Sequence, residues 1–224
     1  MSKTEWAVIF DVDGVLLELT RAEEELFFEP FASRCDAERL SRDWNSYAVR
    51  NDENIIAEIV ERYSLPQSEA TIIASEYLAL LERRLEAGVL RSQAITGATE
   101  LIRSVQTHAK LGIATANFRK AAELRLTQTG LWHHVSALAY GADGGGHKSE
   151  ILARAIKASG LPTNRIIFIG DNVNDVKAGL ENNVHFIGFS ESPARLKVLA
   201  AAGAQTLSAN HQVTTSLVMS LLNP

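Results

Sequence analysis

The chain has 224 residues, 46% of them hydrophobic, and a formal charge of −5. That is enough to bury a substantial core, in one large domain or in a core domain with a smaller insertion. Its single cysteine, Cys35, excludes an intrachain disulfide and a thiolate zinc cluster. The N-terminal MSKTEW lacks the apolar stretch of a secretory signal, and no run approaches the roughly 18 apolar residues of a membrane span. Composition therefore predicts a soluble, unprocessed, cytoplasmic protein with no membrane partner.

The first element is AVIF at 7–10, a buried strand that runs directly into Asp11 and Asp13 and then Gly14. In an extended chain, side chains two apart point the same way, so the two aspartates form a paired carboxylate site at the strand's end. Such a pair stays ionised beside a cation, or one member holds a proton. A plain strand followed by an Asp-Gly turn is the alternative for this segment taken alone.

Helical patterns follow at Arg21 to Arg34 (interrupted by Pro30), Asp36 to Trp44, Asp52 to Tyr63 and Gln67 to Ala87. In the last, Ile72, Ile73, Tyr77, Leu80, Leu81 and Leu85 recur at helical spacing and predict a bundle-facing stripe. Residues 17–95 carry about 16 acidic side chains against about 9 arginines and no lysine, a balance that does not attract nucleic acid. The run Glu23, Glu24, Glu25 reads as a solvated helix face.

From Thr96 the chain alternates helical ATELIRSVQTH, apolar LGIATA, helical KAAELRLTQTG, apolar VSALAYG, helical SEILARAIKASG, apolar RIIFIG, helical NDVKAGLENN and apolar VHFIGF. A further helix around Ala194 to Ala202 and a short strand near Ala204 to Leu207 complete the pattern. Strand–helix repeats of this length predict an α/β fold, a Rossmann-like parallel sheet with helices on both faces, and AVIF belongs to it. The helical stretch then interrupts that domain after its first strand.

Ligands of open parallel sheets sit beyond the carboxyl ends of the strands. Those ends carry Asp11 and Asp13, then Thr115, Ala116 and Asn117, then Asp171 with Asp175 four residues on. Polar groups after three separate strands are far more specific than any single one, although aspartate also caps helices. The segment GADGGGHKS at 141–149 approaches a phosphate-cradling G-x-x-x-x-G-K-S loop, but His147 stands where the lysine belongs. Its glycines are read as a flexible loop presenting Lys148. The histidines show no H-x-x-x-H pair, and His133–His134 reads as surface or packing rather than zinc.

DVDGV at 11–15, IATAN at 113–117, Lys148 opening a helix, and GDNVND at 170–175 resemble the four motifs of the haloacid dehalogenase-like phosphohydrolases, in order and over essentially the full length. TANFRKAAELRLTQTG, IGDNVNDVKAG and the helical insertion resemble the phosphoglycolate phosphatase-like members. The resemblance implies a Rossmann-like catalytic core of residues 1–16 and 96–224 with an all-helical, mobile cap domain of residues 17–95. It implies a phosphatase acting on a small phosphorylated metabolite, with phosphoglycolate as the first candidate.

Carried over to this chain, Asp11 is the nucleophile that forms an aspartyl-phosphate. Asp13 is the acid that protonates the leaving oxygen and the base that later activates water. Mg²⁺ is held by Asp11, the Asp13 carbonyl and Asp171, with Asp175 either supporting the metal or pairing with Lys148. Thr115, Ala116, Asn117 and Lys148 bind phosphate. YAVRNDENI at 47–55 resembles the substrate-facing cap loop, with Val49 where the family carries glycine. Arg50, with Arg21 and Tyr47 as further candidates, meets an anionic substrate group. A phosphosugar mutase and a non-catalytic binding protein of the same fold remain alternatives. Dehalogenases lack the counterparts of Asp13 and Asp171, and phosphonoacetaldehyde-cleaving members need a cap lysine that this chain does not have.

Overall fold

The computed structural model describes residues 6–36 and 39–222. Six short strands pair in parallel: β1 (Ala7–Phe10), β2 (Lys110–Ala114), β3 (Leu138–Tyr140), β4 (Ile166–Gly170), β5 (His185–Phe189) and β6 (Thr206–Ser208), in the order β3-β2-β1-β4-β5-β6. Among the described residues ten α-helices connect or flank them: α1 (Arg21–Phe28), α2 (Asp52–Arg62), α3 (Glu69–Glu86), α4 (Ala98–Val105), α5 (Arg119–Gln128), α6 (Trp132–Val135), α7 (Lys148–Ser159), α8 (Val173–Glu181), α9 (Pro193–Ala201) and α10 (His211–Leu222).

Burial on both faces explains why AVIF and IIFIG are unbroken apolar runs rather than alternating ones. Val8, Phe10, Ile167 and Ile169 join one cluster with Leu101, Ile102 and Val218 of α4 and α10. Their neighbours Ala7, Ile9, Ile166 and Phe168 point oppositely, against Ile151, Leu152 and Ala178 of α7 and α8. Each large apolar side chain so buried contributes roughly 1.5–3 kcal/mol, whereas exposed ion pairs such as Arg21–Glu25 at 4.0 Å contribute about 0–1 kcal/mol. The sheet, not the charged surface, holds the fold.

Helices α1, α2 and α3 lie between β1 and α4 and form an apolar cluster of their own, which also takes in Phe118 and Ala121 at the start of α5. Buried Ile73, Tyr77, Leu81 and Leu85 follow each other four apart along α3, while Ile72 stays 42% exposed. The two crossings between this segment and the sheet run side by side: Glu18 N–H donates to the Gln93 carbonyl at 2.9 Å and Ile95 N–H to the Leu16 carbonyl at 3.0 Å.

Three elements differ from expectation. Residues 37 and 38 of the expected 36–44 helix lie outside the described residues, and the stretch that follows ends in a 3₁₀ turn at Trp44–Ser46. There Ser41 Oγ accepts the Asp43 N–H and Asp43 Oδ1 accepts the Asn45 N–H, side-chain bonds that compete with a helix. Pro30 interrupts the 21–34 stretch as expected, but after the 3₁₀ turn at Glu29–Phe31 the helix does not resume. The terminal α10 had no counterpart among the expected elements, because its five Ser, Thr and Gln positions blur the apolar period. Among the described residues no helix is long and apolar enough to cross a membrane.

Candidate active site

Strand order reverses between β1 and β4, and open α/β sheets bind ligands at such a switch point. Asp11 N–H donates to the Ile169 carbonyl at 2.8 Å, so the ends of these two strands are level. Asp11 Oδ1 accepts Val12 N–H at 2.7 Å and lies 2.8 Å from Lys148 Nζ. The same ammonium stands 2.9 Å from Asp175 Oδ1, while Asp175 Oδ2 accepts Asn172 N–H in the capping box that starts α8. Asp171 completes the group: one carboxylate oxygen from each of Asp11, Asp171 and Asp175 lies within 4.8 Å of the others. Asp175 thus pairs with Lys148 while remaining in ligand range.

Burial pushes Asp11 well above the ordinary carboxylate range; Lys148 opposes this, and Asp175 and Asp171 add to it. Burial likewise raises Asp171 to about 7, with Asp175 adding like-charge repulsion. Burial disfavours the Lys148 ammonium, yet Asp11 and Asp175 outweigh it and hold its pKa above the usual value. Three clustered carboxylates, with no histidine or cysteine among them, form an oxygen-only donor set that could hold a hard divalent cation. The backbone makes room for this set. Gly14 adopts a φ of +77°, and a Cβ there would stand 2.3 Å from Asp171 Oδ2.

Thr115, Ala116 and Asn117 follow β2 on the same edge. Thr115 is buried, with its N–H on the Tyr140 carbonyl at 3.0 Å and its Oγ1 accepting Asn117 N–H at 3.2 Å. Asp13 turns from the carboxylate cluster toward Arg125 of α5, whose Nη1 lies 2.7 Å from Asp13 Oδ1, close enough for an ion pair but not aligned as a hydrogen bond. Arg125 Nε donates to Glu23 Oε1 at 2.8 Å and Nη2 to the Glu18 carbonyl at 3.1 Å. Burial lowers the Arg125 pKa, but Asp13 and Glu23 outweigh it and keep the guanidinium charged.

Glu23 therefore corrects the expectation of a solvated acidic face: it is 5% exposed, completes the capping box of α1 with Thr20, and meets Arg125. Two further supports had no signal in the sequence. His211 Nε2 lies 2.8 Å from the Val15 carbonyl, which accepts only, so that nitrogen carries the proton. Arg195 Nε donates to the Asp171 carbonyl at 3.0 Å.

The first turn of α2 closes the other side. Asp52 N–H donates to the Ala116 carbonyl at 2.9 Å, and Asp52 Oδ2 accepts Phe118 N–H at 2.8 Å. Burial pushes Asp52 up to about 7, with the Phe118 bond opposing and Asp13 adding. Glu53 Oε2 accepts Gly144 and Gly145 N–H at 2.6 and 3.0 Å, and Asn54 Oδ1 accepts Gly146 N–H at 3.1 Å. The near-miss glycine loop is thus a cradle for this helix start, and its positive φ values aim three amides at it.

All the sequence-derived candidates at the strand ends, with Lys148 and Arg50, line one cavity of about 360 Å³, within the range of small-molecule sites. Tyr47 lines a neighbouring cavity that shares Arg50 and Lys148. Arg21 lines neither; its side chain is 90% exposed.

Comparison with curated proteins gives no match. Among solved structures, a predicted phosphatase from Clostridium acetobutylicum superposes with a TM-score of 0.71 at 20% identity, covering 97% of this chain and 100% of that one. A hydrolase from Pseudomonas syringae gives 0.71 at 17% identity, covering 96% and 98%. CbbY from Rhodobacter sphaeroides, solved with phosphate, gives 0.70 at 20% identity, covering 93% and 95%. A mutant of it has been solved with xylulose-(1,5)bisphosphate. At these identities the likeness establishes a shared fold. The sequence profile of the haloacid dehalogenase-like hydrolases matches residues 8–189, from the second residue of β1 to the last of β5, and on that match the chain belongs to this hydrolase family.

Proposed function

We propose that the chain is a magnesium-dependent phosphatase that hydrolyses a phosphomonoester of a small metabolite through an aspartyl-phosphate on Asp11. The observation that carries this reading is Lys148 held between Asp11 and Asp175 with Asp171 in ligand range. Phosphate in the CbbY structure and the phosphorylated sugar bound by its mutant support a phosphorylated substrate. Asp11, Asp171 and Asp175 would hold Mg²⁺, which neutralises charge between the nucleophile and the phosphoryl oxygens.

Val12 N–H and Lys148 both grip Asp11 Oδ1, which fixes the plane of the carboxylate before reaction. Attack by Asp11 on phosphorus forms the O–P bond as the ester O–P bond breaks, and Asp13 delivers a proton to the departing alcohol oxygen. Asp13 then takes a proton from the water that attacks the aspartyl-phosphate, and Asp11 and inorganic phosphate are released. Thr115 Oγ1 and Lys148 Nζ donate to the equatorial oxygens, where negative charge is spread. Residues 17–95 act as the cap, pivoting at the paired crossings 16–18 and 93–95 and excluding water when α2 is docked.

Turnover of p-nitrophenyl phosphate is expected to fall at least about a hundredfold in EDTA and to return with added Mg²⁺. Full rate in metal-free protein would remove the metal from the reading. Gly14→Ala drives a Cβ into Asp171 and is expected to weaken Mg²⁺ binding at least about tenfold, measured by calorimetric titration. Unchanged affinity would mean that Asp171 is not a ligand.

A further inference from the structure

The part of the cavity wall supplied by the inserted segment has a chemistry of its own. Phe27 of α1, Tyr77 of α3 and Trp44 of the 3₁₀ turn between α1 and α2 line it. Trp44 and Tyr77 meet Phe27 edge-on, with ring centroids 5.4 and 5.2 Å away and interplanar angles of 68° and 71°. Two carboxylates share this wall. Glu24 Oε1 accepts the Trp44 indole N–H at 2.9 Å, and Asp52, 7% exposed, accepts only Phe118 N–H among the described residues.

Charge bookkeeping separates this wall from the reaction centre. Seven carboxylates and three cations line the cavity. Lys148 serves Asp11 and Asp175, Arg125 serves Asp13 and Glu23, and Asp171 belongs to the metal-binding set. Glu24 and Asp52 form no ion pair among the described residues. Arg50 is the third cation, and its Nη1 donates to Asn45 Oδ1 at 3.3 Å, on the side shared with the neighbouring cavity. A divalent metal and a phosphate dianion cancel each other, so the space left for the leaving group is aromatic and negative. Aromatic faces attract ammonium groups, more strongly where water is excluded, and carboxylates in a confined cavity repel a second anion.

Resting on the phosphatase reading, we infer that the substrate is the phosphate monoester of an amino alcohol, its ammonium group seated against Phe27, Trp44 and Tyr77 and balanced by Glu24. Phosphoglycolate, the ester implied by family resemblance, brings an additional carboxylate to this wall and is disfavoured by it.

The test uses the full chain with Mg²⁺ and three probes: phosphocholine, its neutral isostere 3,3-dimethylbutyl phosphate, and phosphoglycolate. The expected kcat/KM for phosphocholine exceeds that of the neutral ester at least about tenfold, and that of phosphoglycolate by more. Glu24→Gln is expected to shrink the ratio of phosphocholine to its isostere severalfold, because the two esters differ only in charge. A neutral or anionic ester that matches or outruns phosphocholine overturns the inference, as does a ratio untouched by Glu24→Gln. Hydrolysis of p-nitrophenyl phosphate with none of the three probes turned over overturns the inference while the phosphatase reading stands. No hydrolysis of any ester, p-nitrophenyl phosphate included, overturns the phosphatase reading itself.

Discussion

Asp11→Asn is expected to cut turnover of p-nitrophenyl phosphate at least about 10⁴-fold while leaving the thermal midpoint near that of the parent chain. The amide oxygen has almost none of the nucleophilicity of a carboxylate, so the covalent route closes. The structural cost is small for three reasons. Asparagine keeps an oxygen to accept Val12 N–H, Lys148 retains Asp175 at 2.9 Å, and the substitution removes a carboxyl that burial chiefly, and Asp175 and Asp171 in addition, already push toward the neutral form. A drop of 10⁴ corresponds to about 5.5 kcal/mol of transition-state stabilisation, far beyond what a shifted hydrogen bond supplies. Steady-state turnover and a melting curve, measured on the same preparation, separate the outcomes. Turnover above about a hundredth of the parent rate would remove Asp11 as nucleophile.

That Asp11 could be named from the sequence, and Arg125 could not, reflects how far apart their partners lie along the chain. Asp11, Thr115 and Asp171 each directly follow an apolar run, so a local pattern marks them, and parallel pairing of β1 with β2 and β4 gathers them without further information. Arg125 sits mid-helix among alternating polar and apolar residues and reads as an ordinary surface arginine. Its partners Glu23 and Asp13 stand about a hundred residues away, and only the docking of the inserted helices against α5 brings the three together, with Arg125 and Glu23 buried and Asp13 at their edge. Asp52 is similar: its role depends on the backbone of 116–118, which no spacing within the insertion can reveal. The glycine loop was legible as irregular but not as a cradle, because Glu53 and Asn54, which accept its amides, belong to the inserted segment.

Arg125→Met is expected to destabilise the chain by about 3–5 kcal/mol, the range found when one partner of a buried ion pair is removed. Arg125 is 3% exposed, and its guanidinium stands 2.7 Å from Asp13, 2.8 Å from Glu23 and 3.1 Å from the Glu18 carbonyl. Methionine matches much of the side-chain volume, so packing loss is minor. What remains is a carboxylate at Glu23 that is only 4% exposed and has no opposite charge, held by Thr20 N–H and Oγ1–H on one oxygen and by Ser92 Oγ–H at 3.2 Å on the other. At the usual scaling for a chain of this length, the thermal midpoint falls by about 6–20 °C. A second substitution discriminates charge from packing. Glu23→Gln alone costs stability by leaving Arg125 with one fewer partner, but in the Arg125→Met background it removes the unpaired charge, so the double variant is expected to be more stable than Arg125→Met alone. Additive losses in that cycle, or an Arg125→Met variant within about 1 kcal/mol of the parent, would mean that the buried arginine does not bind α5 to the inserted helices through charge. Because the guanidinium touches both Asp13 and the start of α1, the same cycle measures how firmly the inserted segment is tied to the loop bearing the proposed acid–base residue.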